Sequence, residues 1–523
     1  TEEKTFSYKE LNEIALKVAD KLSGLNGEEK EYRIGIFMEK GVEQIIVALA
    51  AIYSKIAYMP IETTLPAEDI NWCIKQADIS LIITEEALKG QTKEIMCEVK
   101  TYDELLVVES RELDCADNAN NADEVAIIIN TSGTTGYPKS VLIKQSGLVN
   151  CFVHSKERFL LEGENNLRAI AVTNFCHDMA LYDYLGMFVI GGSVVMPDYS
   201  KVKDPKYLVH LIQRYNVTFW NSVPAIIEMV LMVEDSGISN VLKRLRRIVL
   251  GGDWIRTDTI SKLWRYSPNA IIYSVGGPTE TTIWNISHKV SKADIDRGYI
   301  PYGKPFPNTK YHLLDKKRRK CPVGIPGTMY IEGIGVAKCY AGNEEETKKH
   351  FHLISGRYMY ESGDQGMYLS DGSIRFMGRV DNQVKINGKR IELGGIERKV
   401  NEISVISTNC CVVHEESGHL ALFYEGNISE AEVREILKGN LVSYMIPSLI
   451  KKLDSLPLTY NGKPDRKNLA LYEFNEPKEA KKDSCDSYEG KVLQILADVL
   501  KIDSVSLEDN YYYLGGDSVT AMQ

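Results

Sequence analysis

The run Thr131-Ser132-Gly133-Thr134-Thr135-Gly136-Tyr137-Pro138-Lys139-Ser140 gathers hydroxyls, glycines and a lysine directly after an apolar stretch. Successive hydroxyls, glycine-permitted turns and an ammonium group can hold the oxygens of a polyanion. A Walker loop needs Gly and Lys adjacent, and Tyr137-Pro138 intervene here, which argues against a P-loop kinase or GTPase. The alternative is a polar surface turn. Asp178 stands where it can cap a helix starting near Met179. Lys463, in an Asn-Gly-Lys turn, reads on its own as solvated surface. Ser518 follows Gly515-Gly516-Asp517, which is turn and capping chemistry for a helix beginning near Val519.

The elements that must position these residues follow from hydropathy patterning. Apolar runs at Arg33–Met38, Leu81–Thr84, Val125–Asn130, Ala169–Thr173, Ser193–Met196, Arg247–Leu250 and Ala270–Ser274 alternate with helical patterns such as Tyr8–Leu22, Val42–Tyr53, Asp204–Arg214 and Pro224–Val233. That alternation predicts an α/β fold with largely parallel sheets. From about Thr309 short strands with glycine turns take over, at Gly327–Glu332, Gly366–Leu369 and Ser373–Met377. At 523 residues the chain exceeds one core, and roughly three to four domains is the expectation. The predicted boundaries are 1–380, then 381–471 as a small α+β piece, a polar linker at 472–487, and 488–523 opening on an amphipathic helix.

Composition excludes some classes. A net charge of −10 argues against a general nucleic-acid binder. No apolar run approaches the ~20 residues that span a bilayer, and no signal peptide opens the chain, so no membrane association and a cytoplasmic location are expected. The ten cysteines are scattered without C-x-x-C spacing, which reads as reduced thiols and not as a zinc site.

The hydroxyl-rich loop resembles the signature of the adenylate-forming superfamily, which includes acyl-CoA synthetases, luciferases and the adenylation domains of nonribosomal peptide synthetases. Ser140 stands where glycine is usual. The resemblance continues in order through Thr5–Leu11, Ala57–Glu62, Gly277-Pro278-Thr279-Glu280-Thr281-Thr282, Ser362-Gly363-Asp364, Gly378–Lys385, Arg390–Leu393 and Asn461–Arg466. The fold it implies is a large N-terminal domain with parallel sheets and a small β barrel, then a small α+β subdomain. Tyr513–Ser518 is similar to the phosphopantetheine attachment site of carrier proteins, so the start of a helical carrier domain is expected at the end. A carrier is a bundle of about four helices, and only five residues follow Ser518, so most of that bundle is expected to be missing here.

The reaction implied is carboxylate plus ATP to acyl-adenylate plus pyrophosphate. The nucleophile is already an anion, so charge neutralisation and in-line placement are what the protein must supply. By resemblance Lys463 approaches the substrate carboxylate and α-phosphate, Asp364 accepts from the ribose hydroxyls, and Arg379 faces ribose or phosphates. Glu280 ligates Mg²⁺, Gly277 and Thr279 belong to the nucleotide site, and Thr131, Ser132, Gly133, Thr134, Thr135, Gly136 and Lys139 cover the β- and γ-phosphates. Asp381 is the hinge about which a smaller domain rotates to exchange Lys463 for Lys385–Lys389. The family commonly places an aromatic before Gly-Pro-Thr-Glu to stack on adenine; Val275-Gly276 stand here, so adenine must stack elsewhere or rest on backbone.

The segment His177–Gly186 is similar to the motif of amino-acid-activating domains, with Asp178 pairing the substrate α-ammonium. An acyl-CoA synthetase for fatty acids has no use for a buried anion there. The remaining implied pocket positions are Met179, Tyr182, Asn221, Val249, Gly251, Val275, Ile283 and Trp284, with Asn221 the sole polar reader. Bulk at Tyr182, Ile283 and Trp284 implies a small side chain. Cysteine is favoured, with glycine, alanine and serine open, since one methylene is worth only ~1–3 kcal/mol. Implied partners are neighbouring synthetase domains, a phosphopantetheinyl transferase that would place 4'-phosphopantetheine on Ser518, and an MbtH-like accessory protein. The alternatives are a stand-alone acyl- or aryl-CoA synthetase and a non-catalytic carrier scaffold.

Overall fold

The computed structural model describes residues 1–24, 32–106, 122–131, 137–160, 167–233, 238–379, 383–386, 388–415, 417–458, 464–474, 488–500, 505 and 511. They form two compact units, Thr1–Thr131 with Pro138–Asp381, and Asn382–Gln523 with Ser132–Tyr137.

The first unit is built on three sheets. One has six strands, among them Arg33–Phe37, Ala57–Pro60, Leu81–Thr84 and Val125–Thr131, all parallel, and closes on antiparallel Lys139–Lys144. A second has seven strands, and Arg168–Ile170, Ser193–Val195, Phe219–Ser222, Arg247–Gly251 and Ile271–Gly276 run parallel within it. The third is antiparallel and contains Thr309–Leu314, Gly327–Gly333, Phe351–Ile354, Arg357–Tyr368 and Ile374–Arg379. The parallel α/β architecture and the change to short antiparallel strands are therefore both present.

One core joins the two parallel sheets. It takes Ile34 and Ile36 from the first, Phe219, Val249 and Tyr273 from the second, and Val47, Ala51, Leu148 and Phe152 from helices Val42–Tyr53 and Gln145–Phe159. The helix Val42–Tyr53 is apolar nearly all round, as a helix sandwiched between layers must be.

The second unit holds the hairpin Gln383–Ile386 with Lys389–Glu392, and a sheet of Ile406–Val413, Leu420–Gly426 and Leu449–Lys452. Helices Leu393–Asn401 and Glu430–Asn440 accompany them. Tyr472 and Phe474 extend its core, packing against Phe423 at ring separations of 5.2 Å (edge-on) and 5.6 Å (tilted). Residues 475–487 lie outside the described residues, and Tyr488–Leu500 is helical.

The segment after Asp178 is not a regular α-helix. Tyr182–Gly186 is a single wide turn of π-helix running into Met187–Val189. Such turns re-aim side chains and recur at functional sites. Here the Tyr182 ring lies flat on Gly186, where an added Cβ would sit 2.5 Å from ring carbon Cδ2. Gly186→Ala is expected to destabilise the protein by about 1–3 kcal/mol through overpacking, read as a lowered urea midpoint.

Candidate active site

Parallel strands present their carboxyl ends on one edge, where α/β sheets bind ligands. Asn221, Gly251 and Val275 all lie at such ends in the second sheet. Asn221 registers with Val249, and Gly251 with Val275. Lateral partners in a sheet share a face, so these four candidate positions line one side. An added Cβ at Gly251 would lie 2.7 Å from Val275 Cγ2 and 2.8 Å from its carbonyl oxygen, so this position admits no side chain.

Two hydrogen bonds bring the Asp178 segment to this edge. Asp178 Oδ2 accepts from Thr279 Oγ1 at 2.6 Å, and the Met179 carbonyl accepts from Asn221 Nδ2 at 3.1 Å. Asp178 itself is half-buried. Tyr182 and Trp284 pack at 4.9 Å between centroids, and the indole N–H donates to Ser155 Oγ at 2.9 Å. Tyr182, Ile283 and Trp284 are buried, as are Met179, Val249 and Val275. The structure thus joins Met179 to Asn221, places Asn221, Val249, Gly251 and Val275 on one sheet face, and packs Tyr182 on Trp284.

The backbone beyond Glu280 is strained. Thr282 and Ile283, both β-branched, have φ of 66° and 31°. Side chains of this shape rarely adopt such values, and the cost is of order 1–3 kcal/mol each. The Thr282 hydroxyl donates to the Gly335 carbonyl at 2.8 Å and helps hold the turn. Gly277 has φ 153°, and a Cβ added there would lie 3.0 Å from the Trp284 Cα.

Glu280 is fully buried and its Oε1 accepts from the Tyr340 hydroxyl at 2.6 Å. A single buried carboxylate suits Mg²⁺, a hard cation that keeps several waters and binds with substrate phosphates. Lys139 begins the strand that pairs antiparallel with Val125–Thr131, opposite Thr131. Its ammonium lies 5.5 Å from the Tyr340 ring centroid and 2.7 Å from Glu346 Oε2, with both side chains buried. Lys139 therefore points inward to an ion pair. Ser132, Gly133, Thr134, Thr135 and Gly136 lie outside the described residues, as do Asp381, Lys463 and Ser518. Lys385 is exposed on the hairpin of the second unit.

Asp364 and Arg379 face each other across the third sheet and form an ion pair, while Arg379 Nη2 donates to the Ser362 carbonyl at 3.0 Å. Beside them, Tyr302 covers Gly276. A Cβ added at 276 would fall 1.9 Å from Tyr302 Cε2. The ring that packs on position 276 thus comes from another part of the chain.

Sequence reading missed Tyr302, Tyr340, Glu346, Lys40 and Asp183. Asp183 is buried, and its Oδ1 accepts from Asn221 Nδ2 at 2.8 Å. Burial raises its pKa, while the Lys40 charge opposes that rise. Lys40 donates to the carbonyls of Ala171 and Thr173. The acidic residue at 183 is visible in the sequence; nothing local indicates that it feels the charge of Lys40, which follows the strand Arg33–Phe37.

A profile described as AMP-binding enzyme matches residues 1–341. The chain belongs to the AMP-binding enzyme family. This AMP-binding enzyme is an adenylate-forming ligase, and its relatives include nonribosomal peptide synthetases. It is 31% identical over 532 residues to bacitracin synthase 1 of Bacillus licheniformis, covering 99% of this chain and 10% of that protein. It is also 31% identical over 510 residues to the anguibactin system regulator of Vibrio anguillarum, covering 94% of this chain and 48% of that one. The chain therefore spans a tenth to about half of these relatives. Its fold is similar to that of PA1221, described as a synthetase protein containing adenylation and PCP domains, with TM-score 0.80, 24% identity and coverage of 99% and 86%. The Vibrio cholerae adenylation domain AlmE, in complex with glycyl-adenosine-5'-phosphate, matches with TM-score 0.77, 21% identity and coverage of 89% and 92%. Among the described residues no helix is long and apolar enough to cross a membrane.

The Lys139–Glu346 pair generates a pH prediction. Burial works to raise the Glu346 pKa, but Lys139 and Lys349 outweigh it and hold the carboxyl down at about 2. Its folded value is below the unfolded one, so its stabilisation is present above the unfolded carboxyl range and is lost as pH falls through about 2. Glu346→Gln is expected to lower stability by about 3 kcal/mol at neutral pH, by stranding Lys139, and to flatten the acid limb of the stability profile. Urea titrations at a series of pH values measure both effects.

Proposed function

We propose that this enzyme activates a small α-amino acid, cysteine foremost, as its aminoacyl-adenylate. The observation that carries the reading is the half-buried Asp178 carboxylate, bonded to Thr279 of the turn that carries Glu280 and next in sequence to Met179, whose carbonyl accepts from Asn221. The Asp178 carboxylate is an acceptor that a substrate α-ammonium can meet, and a fatty acid offers no such donor.

In the reaction a substrate carboxylate oxygen attacks the α-phosphorus, and the bond from that phosphorus to the bridging oxygen of the β-phosphate breaks. Pyrophosphate leaves and no proton moves. Glu280 would hold Mg²⁺, which neutralises phosphate charge when bound. Asp364 and Arg379 bind ribose and phosphate oxygens, and Lys139 closes the phosphate loop whose other residues are Thr131, Ser132, Gly133, Thr134, Thr135 and Gly136. Gly277 and Thr279 shape the nucleotide side, with the Tyr302 ring offering a flat apolar surface to the base. Lys463 bridges the carboxylate and the α-phosphate. Asp381 serves as hinge and Lys385 approaches for the second half-reaction. A 4'-phosphopantetheine on Ser518, placed by a phosphopantetheinyl transferase, would supply the thiol that accepts the acyl group. Neighbouring synthetase domains and an MbtH-like accessory protein complete the partners of this reading.

Amino-acid-dependent ATP–pyrophosphate exchange with twenty amino acids tests it. Stimulation by cysteine is expected, and stimulation by fatty or aryl acids alone would favour a stand-alone acyl-CoA synthetase. Asp178→Ala is expected to lower kcat/KM for the amino acid by about a hundredfold, the scale of a lost buried charge pair. Lys463→Ala is expected to abolish exchange at an unchanged urea midpoint. In a protein carrying a complete carrier domain, Ser518→Ala should retain exchange and lose loading from radiolabelled amino acid; loading that persists places the thiol elsewhere.

A further inference from the structure

The side chain of Asn221 is fully buried at the carboxyl end of its strand, and its amide is saturated on one side only. One Nδ2 proton goes to the Met179 carbonyl at 3.1 Å and the other to Asp183 Oδ1 at 2.8 Å. A carbonyl only accepts, and so does an ionised carboxylate, so the amide has a single orientation and no N–H left to donate. Asn221 Oδ1 is buried and has no hydrogen-bond partner among the described residues. An acceptor left in that condition is costly, and buried polar atoms without partners call for an explanation.

We infer that Asp183 is a positioning residue that fixes Asn221 as an obligate hydrogen-bond acceptor, so that the pocket selects a small amino acid whose side chain carries a hydrogen-bond donor, a thiol or a hydroxyl. The inference rests on the amino-acid reading above and sharpens its substrate class. Three features support it. Gly251, on the same sheet face as the Val249 partner of Asn221, admits no side chain, so no competing polar group comes from that strand. Val249 and Val275 are apolar and buried, so neither offers Oδ1 a donor. Burial pushes the Asp183 pKa up to about 7, and the charge of Lys40, anchored on the Ala171 and Thr173 carbonyls, opposes that rise. In either form Asp183 Oδ1 can accept from Nδ2, and the Met179 carbonyl, which only accepts, takes the second proton, so the amide keeps its orientation.

The test uses pyrophosphate exchange by the full chain with cysteine, serine, alanine and 2-aminobutyrate, the last matching cysteine in size without a donor. The expected result is a kcat/KM for cysteine or serine at least tenfold above that for 2-aminobutyrate, with the difference in KM; the cysteine and serine arms separate thiol from hydroxyl. Asn221→Leu and Asp183→Asn should each bring that ratio close to one while leaving KM for ATP unchanged. A merely structural role for Asp183 would change all substrates alike and leave the ratio intact, which overturns the inference. Should either variant fail to fold, the unmodified protein still decides: equal use of cysteine, serine and 2-aminobutyrate refutes the acceptor role. If no amino acid supports exchange, the proposed function falls and the inference with it, an outcome distinct from exchange without discrimination.

Discussion

The register of three parallel strands is the constraint on which the candidate site depends. Phe219–Ser222, Arg247–Gly251 and Ile271–Gly276 align so that Asn221 faces the same side as Val249, and Gly251 the same side as Val275. Side chains alternate along a strand, so a slip of one residue would turn every one of these positions to the opposite layer. The register is held from both sides. Val249 and Tyr273 are locked into the core shared by the two parallel sheets, and the Gly251 backbone packs against Val275 too closely for a side chain. The pocket is therefore a consequence of core packing, and its shape is as rigid as the core itself.

Around that frame the protein buries charge in pairs. Lys139 meets Glu346, Asp364 meets Arg379, and Lys40 lies close enough to Asp183 to oppose the effect of its burial. Such pairs seldom add net stability over apolar replacements, because desolvation offsets the attraction. Their value is orientation: each partner is held at one geometry. The strained Thr282–Ile283 turn belongs to the same economy of function over stability, since it carries the chain from buried Glu280 to the pocket wall at Trp284.

Much of this was legible in the chain. Helix Val42–Tyr53 and strand Leu81–Thr84 have the limits that hydropathy patterning predicts, because an apolar run of fixed length in a parallel sheet or between layers leaves little choice of conformation. The π turn at Tyr182–Gly186 was not legible: its cause is the fit of one tyrosine ring over Gly186 and against Phe159, Phe219 and Trp284, which come from distant elements. The strand Phe219–Ser222, which carries Asn221, was also missed, since so short an apolar run is ambiguous without its neighbours.

The sequence by itself determined which chemistry is available. A hydroxyl-rich loop with its lysine, the Gly-Pro-Thr-Glu turn, and Asp178 ahead of an apolar segment are local patterns, written in residues that are near neighbours in the chain. The tertiary structure alone decided which atoms those groups meet. It turned Lys139 onto Glu346, placed Tyr302 over Gly276, and gave both Asn221 amide protons to acceptors while leaving its oxygen bare. These pairings join residues far apart in sequence, and only the close packing of layers, which no local periodicity encodes, brings their atoms within bonding distance.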